Sequence, residues 1–225
     1  MKIKNDKSFH LHNKLLNLDY IKKHLEEIKK HHKESYQHSL RVGLLCIDLA
    51  YENNFSEKAV ILAGESGLLH DIGKTEIPHK ILSKKDCLEE NEKERINEHP
   101  RYAFIKMNGN EYEKIRRVCI AHHEYKTGKY PRRGTDRRKK YRPESVERRK
   151  GDAYIDKVAE IVAIADMFDA LTERRVYKKQ FKKDEVLDLL KKQFLGDEKF
   201  IDQVMSRMGG TLSRKIEILF EGSCA

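Results

Sequence analysis

The sequence predicts an all-α protein, and three observations carry that expectation. Leu, Ile, Glu and Lys dominate, while Gly and Pro number only 12 and 4 among 225 residues, a composition that favours helix. Apolar residues recur at three- and four-residue spacing, the period of one helix face. No stretch keeps up the alternation of a half-buried strand. The length suits one well-buried domain with additions, or two small ones. Charged residues make up 37% and hydrophobic ones 38%, but the periodic clustering of the latter argues against disorder.

Each element has its own signal. Residues 11–32 read as an amphipathic helix, with Leu18, Ile21, Leu25 and Ile28 on one stripe. It is too short to require a coiled coil; packing within the domain is the simpler use, and a homodimer through this helix the alternative. A second helix runs from about Ser35 to Tyr51, with Leu40, Leu44, Ile47 and Leu49 among its apolar residues. A third, about 56–69, starts at Ser56 with Glu57 in its first turn and carries Val60, Ile61, Leu68 and Leu69. Pro78 marks a break. Residues 89–98 read as a charged surface helix. Residues 111–124 form another, with Ile115, Val118, Cys119 and Ile120 inward. "IDKVAEIVAIADMFDALTE", 155–173, is the most apolar helix. Helices at about 184–195, 198–208 and 212–220 complete the chain. Residues 1–33 are expected as an N-terminal helical extension, and 34–225 as the main domain.

No signal-peptide core appears in "MKIKNDKSFHLHNKLLNLDY", and no apolar run approaches the roughly 20 residues of a membrane helix. Cys46, Cys87, Cys119 and Cys224 are scattered without CxxC spacing, which suits reduced thiols in a cytoplasm. The formal charge is +10. Residues 126–150 hold twelve Lys and Arg against three Asp and Glu, a surplus of nine that leaves one positive charge for the rest. Gly128, Pro131, Gly134 and Pro143 make that segment a loop. Its readings, in order, are steering of an anionic dinucleotide, a solvated loop, and a polynucleotide contact. Tyr130 and Tyr141 could stack on bases.

Ionisable residues gather where apolar helices end. Glu34 and His38 lie four apart, on one helix face. His70 and Asp71 follow Leu68 and Leu69; His99 precedes Pro100; His122 and His123 close an apolar helix; Asp166 is embedded in one. Singly, each has a plain reading as a hydrogen-bonded packing residue. His10, His12, His24, His31, His32 and His79 are read as surface residues. Jointly the plain reading weakens, because a carboxylate among Val162, Ala163 and Ala170 is costly without a neutralising cation. Neighbouring helix residues diverge by roughly 100°, so His122 and His123 would serve two neighbouring ions, as would His70 and Asp71. Mixed imidazole and carboxylate donors suit Fe, Mn, Zn or Ni better than Mg or Ca. No Gly-rich phosphate loop, GxSxG or Cys nucleophile pattern is present, which argues against covalent catalysis.

The order of these motifs resembles a known family. His38, "HD" at 70–71, Lys74, "HP" at 99–100, "HHE" at 122–124 and "ADMFDALTERRVYK" at 165–178 are similar to the HD superfamily of metal-dependent phosphohydrolases, and to its HD-GYP branch in "LLHDIGKTEIPHKIL". The resemblance covers about 34–195. It implies an all-helical HD bundle holding two or three transition-metal ions, Fe or Mn, and a phosphodiesterase that opens cyclic di-GMP or a related cyclic dinucleotide by attack of metal-activated water. By position it implies Asp71 as a bridging carboxylate, with His38, His70, His99, His122, His123 and Asp166 as the other ligands. Glu34 would accompany a third ion. Lys74 would contact the substrate phosphate, with Tyr130, Arg174 and Lys178 as further substrate contacts. Alternatives on the same fold are an idle module that binds nucleotide or protein partners, and a phosphomonoesterase or nucleotidase; a di-iron oxygenase is disfavoured by Lys74. The branch's loop, HHExxDGxGYP, is here "HHEYKTGKYP", one residue shorter, with Thr127 for Asp and Lys129 for Gly. That departure spares the ligand set and bears on substrate and partner recognition.

Overall fold

The structure, a computed structural model, describes residues 2–126, 153–173 and 181–208. The helix expected at 212–220, and the basic segment beyond Lys126, lie outside these residues. Among the described residues there is no strand, only an isolated antiparallel bridge between Lys126 and Phe194. The all-α expectation is met.

Helices α3 (Lys33–Glu52) and α4 (Glu57–Leu69) pack side by side at the centre. Asn54, in the left-handed region at φ 54°, turns the chain between them, a conformation Asn tolerates better than most residues. The pair approaches backbone to backbone. A Cβ on Gly67 would stand 2.9 Å from the Gly43 Cα, so these glycines set how close the helices come. Helix α9 (Ala153–Thr172) lies against α3, α4 and α8 (Glu113–Ala121). Val158, Ile161, Val162, Ala163 and Ala165 of α9 are fully buried, which fits a helix apolar on nearly every side.

The first expected helix is two. α1 (Lys2–Leu16) and α2 (Asp19–His31) are separated by Leu18, whose backbone is extended at φ −74°, ψ 127°. The break reorients the chain so that Leu15 on α1 and Ile21, Leu25 and Ile28 on α2 all enter one core. Burying each of these is worth about 1.5–3 kcal/mol relative to exposure. The stripe is therefore used within the protein. The same break buries two histidines expected at the surface. His12 bonds the Leu40 carbonyl through Nε2 at 3.0 Å, and burial lowers its pKa to about 4. His24 packs edge-on against the Tyr112 ring. His32 is half-buried, and its Nδ1 accepts the Ser35 backbone N–H at the start of α3.

After α4 come a 3₁₀ turn (Ile72–Glu76), α5 (His79–Leu82), α6 (Glu90–Asn97) and α7 (His99–Lys106). α6 buries no side chain and opens with a reciprocal capping box between Glu89 and Glu92. The helix expected over 111–124 is shorter than its pattern: α8 is flanked by 3₁₀ turns at Asn110–Tyr112 and His122–Tyr125. Helices α10 (Lys183–Gln193) and α11 (Lys199–Met205) pack on α9. Beyond α11, Arg207 pairs with Asp48 and Glu52 of α3, and Ser8 of α1 also reaches Asp48.

The turn after α4 presses on the first turn of α7. A Cβ on Gly73 would lie 1.9 Å from the His99 carbonyl oxygen and 2.6 Å from the Ala103 nitrogen. Backbone cannot yield as a flexible side-chain tip would, so position 73 must be glycine for Asp71 and His99 to meet. Gly73→Ala is expected to lower stability by about 1–3 kcal/mol, the usual cost of overpacking. Urea unfolding monitored by circular dichroism measures it, and an unchanged midpoint would contradict the packing argument.

Candidate metal centre

Five segments deliver the ionisable side chains to one place. His38 comes from the middle of α3. His70 and Asp71 follow the last turn of α4. His99 opens α7, His122 and His123 lie in the 3₁₀ turn after α8, and Asp166 lies within α9. Helix ends suit this task because their carbonyls are not all used within the helix. The Nδ1 atoms of His70, His99 and His122 lie 2.8, 2.7 and 2.6 Å from the carbonyl oxygens of Gly67, Ile96 and Cys119, each three residues earlier. A carbonyl only accepts, so each Nδ1 carries the proton and each Nε2 presents a lone pair. Among the described residues, the buried Nε2 atoms of His99 and His122 have no hydrogen-bond partner. Inward-facing imidazole lone pairs of this kind fit a cation.

Two groups of donors result. In the first, His38 Nε2 lies 3.2 Å from His70 Nε2, 3.6 Å from Asp71 Oδ2 and 3.0 Å from Asp166 Oδ1. His70 Nε2 is 3.5 Å from Asp71 Oδ2 and 3.9 Å from Asp166 Oδ1. Donors bound at about 2.1 Å stand about 3.0 Å apart in an octahedron and about 3.4 Å apart in a tetrahedron, so the spacing fits a transition-metal ion. In the second group His99, His122 and His123 offer nitrogens within 4.8 Å of one another, and Asp71 Oδ1 is 3.2 Å from His99 Nε2. Asp71 thus turns one oxygen to each group. His122 also falls with His70 and Asp166. The rings of His122 and His123 lie 4.2 Å apart; both belong to the group with His99, and His122 alone of the two also reaches the other group.

Burial sets the protonation states. It opposes ionisation of Asp71, yet Lys74 and the surrounding imidazoles outweigh it and hold the carboxyl well below the usual range. Asp166 is likewise held down against its burial, by Lys126 and His38. Burial lowers His70 and His122, and His99 to about 4, which keeps these rings neutral. His123 is lowered for the same reason. His38 goes the other way: burial opposes its charge, but hydrogen bonds with Asp166 and Asp169 push it up to about 9.

Three participants escaped the sequence reading. Asp169 Oδ2 lies 2.7 Å from His38 Nδ1, and Arg41 clamps the same carboxylate from Nε and Nη2 at 2.7 and 2.9 Å. The signal was spacing: Asp169 follows Asp166 by three residues, and Arg41 follows His38 by three, each on its partner's helix face. Lys126 donates to Asp166 Oδ2 at 2.5 Å; the sequence marked it only as the first residue of the basic segment, with no sign of this partner. Lys74 donates to Asp71 Oδ2, also at 2.5 Å. Glu34 is exposed and outside the donor groups. It lines an adjoining pocket of about 220 Å³ that also contains His38, Arg41, Lys74, Ile81 and Leu88. Tyr130, Arg174 and Lys178 lie outside the described residues.

A family model described as "HD domain" matches residues 35–171. The chain belongs to the HD domain family. HD domains bind divalent metals, and the donor groups described above could hold them. This HD domain is similar to 3'3'-cGAMP-specific phosphodiesterase 1 of Vibrio cholerae, 34% identical over 70% of this chain and 33% of that protein. It is similar also to the cyclic di-GMP phosphodiesterase of Thermotoga maritima, 32% identical over 64% of this chain and 36% of that protein. A third relative, 3'3'-cGAMP-specific phosphodiesterase 2 of Vibrio cholerae, is 29% identical over 72% and 28% respectively. The chain therefore spans about a third of the length of these curated relatives.

If His38 takes an ion through Nε2, metal uptake by this HD domain is pH-dependent. Its ring is a cation below about 9, and an ion taken by Nε2 must displace that proton. Apparent affinity for Mn(II) is expected to rise with pH and to level off above about 9. Titration calorimetry at pH near 7.5 in two buffers of different ionisation enthalpy should find about one proton released per domain, and fewer after His38→Ala. Release of none would contradict a protonated His38 in the metal-free domain.

Proposed function

We propose that this HD domain is a metal-dependent phosphodiesterase of the HD-GYP type that hydrolyses a cyclic dinucleotide, with cyclic di-GMP the first candidate and 3'3'-cGAMP the second. The observation that carries the reading is Asp71, buried between two donor groups with a lysine on its carboxylate. The names of the relatives support the substrate class.

In this reading His38, His70, Asp71 and Asp166 hold one Fe or Mn ion, and Asp71, His99, His122 and His123 a second, with Glu34 available to a third. Ions there supply Lewis acidity and a water activated for in-line attack on phosphorus. The chain's own groups do the rest. Lys74 neutralises charge growing on the phosphoryl oxygens. Asp169, fixed by Arg41, holds His38 in one tautomer and orientation. The adjoining pocket sets Lys74 beside apolar Ile81, Leu82, Leu88 and Ile96, a lining suited to a nucleoside beside its phosphate; its other cations, Arg41 and Lys84, are paired with Asp169 and Glu173 and with Glu92. A second reading, a module that binds nucleotide without cleaving it, draws on the altered "HHEYKTGKYP" loop. Retention of the whole donor set favours the enzyme.

Protein loaded with Mn(II) or Fe(II) is expected to convert cyclic di-GMP or 3'3'-cGAMP to a linear dinucleotide or to mononucleotides, followed by chromatography. Asp71→Asn should reduce the rate at least about a hundredfold, since both donor groups lose an anionic oxygen. Tight binding of either nucleotide with no product from metal-loaded protein would replace the enzyme with the binding module; turnover of phosphomonoesters alone would change the substrate class.

A further inference from the structure

We infer that Lys126 is a second phosphate-binding cation of the site, paired in function with Lys74. The inference rests on the metal reading above and concerns a residue that neither the motif pattern nor the comparisons assign.

The two lysines stand in matching positions. Lys74 Nζ holds Asp71 Oδ2, the oxygen that faces His38 and His70. Lys126 Nζ holds Asp166 Oδ2, while the other oxygen of that carboxylate faces the same two histidines. Two ammonium groups therefore flank one donor group, one from the turn after α4 and one from the turn after α8. Both side chains are partly exposed, 21% and 22%, so a solvent-borne anion can reach each ammonium.

The backbone at Lys126 is held in place. Lys126 bridges Phe194, the Leu195 N–H donates to the Tyr125 carbonyl at 2.8 Å, and the Tyr125 hydroxyl donates to the Asp156 carbonyl at 3.0 Å. A fixed backbone and a four-carbon stem let the ammonium swing over a short arc without disturbing the helices. A divalent ion beside Asp166 shares that carboxylate's charge and repels the ammonium. A phosphate oxygen then offers Lys126 the stronger charge-assisted bond.

The test uses inorganic phosphate as the probe on Mn(II)-loaded full-length chain, so it does not depend on which nucleotide is cleaved. Phosphate affinity is read by titration calorimetry and metal content by plasma mass spectrometry. Lys126→Met is expected to bind phosphate about tenfold more weakly, the loss of one charge-assisted bond, with metal content unchanged. Lys126→Arg, which keeps the charge and its donors, should stay within about threefold of the parent protein. If Lys126→Met does not fold, Lys126→Gln is read by the same criteria. Unchanged phosphate affinity in the neutral variant overturns the inference. So does loss of metal, because the lysine would then act by positioning Asp166. A parent protein that takes up no Mn(II) or Fe(II) overturns the metal reading and this inference together, whereas metal uptake with either of the two preceding results overturns this inference alone.

Discussion

The structure depends on the neutralisation of buried carboxylate charge. Asp71, Asp166 and Asp169 all lie inside a helical bundle whose other buried residues are overwhelmingly apolar. An isolated anion there would be strongly unfavourable, so each is surrounded by cations or donors. Asp71 meets Lys74 and three imidazoles, Asp166 meets Lys126 and His38, and Asp169 meets His38 and Arg41. His38 touches two of these carboxylates and stands 3.6 Å from the third. Removing one partner of such a pair typically costs about 3–5 kcal/mol, since the remaining charge stays buried. The cluster is thus a constraint on folding as well as an arrangement for chemistry.

Meeting that constraint explains the backbone's unusual closeness. Donors from α3, α4, α7, α8's flanking turn and α9 converge only if these elements approach more tightly than ordinary side chains allow. Gly43 against Gly67 brings α3 onto α4, and Gly73 brings the turn after α4 onto α7. Three carbonyls at i−3 then fix three imidazole rings. Rings held in this way need no reorganisation when an ion arrives, which is the sense in which such a site is preorganised.

What the sequence made legible follows from range. The donor residues were readable because imidazoles and carboxylates at helix ends are chemically conspicuous. α3, α4 and α9 were readable because their apolar period is long. The Asp169–Arg41 clamp joins residues 128 apart, and single-chain spacing shows only the two halves. The Leu18 break has no proline or glycine to announce it. It is imposed by the core into which Leu15 and Ile21 both fit. His12 and His24 looked like surface residues because their neighbours in sequence are charged; their partners, the Leu40 carbonyl and the Tyr112 ring, belong to other elements. The 3₁₀ turn at His122 was hidden in the same way, since the apolar pattern of α8 runs into it without interruption.

The chain divides its two tasks between different parts. Every donor placed in the two groups sits on a described helix or a turn bound to one, and all of them fall within the stretch that matches the HD domain family. Departure from the branch's pattern begins just after, between Tyr125 and Pro131. A substitution within the donor set leaves an uncompensated buried charge, so the set tolerates little change. The segment after it carries the surplus of positive charge, and under the proposed function it is where the choice of anion would be tuned. Lys126 lies at this junction, its backbone tied to Phe194 and its ammonium on Asp166. On the proposed function, a change along residues 126–150 would act on substrate preference through charge, whereas a change in the buried cluster would act on folding and metal uptake together.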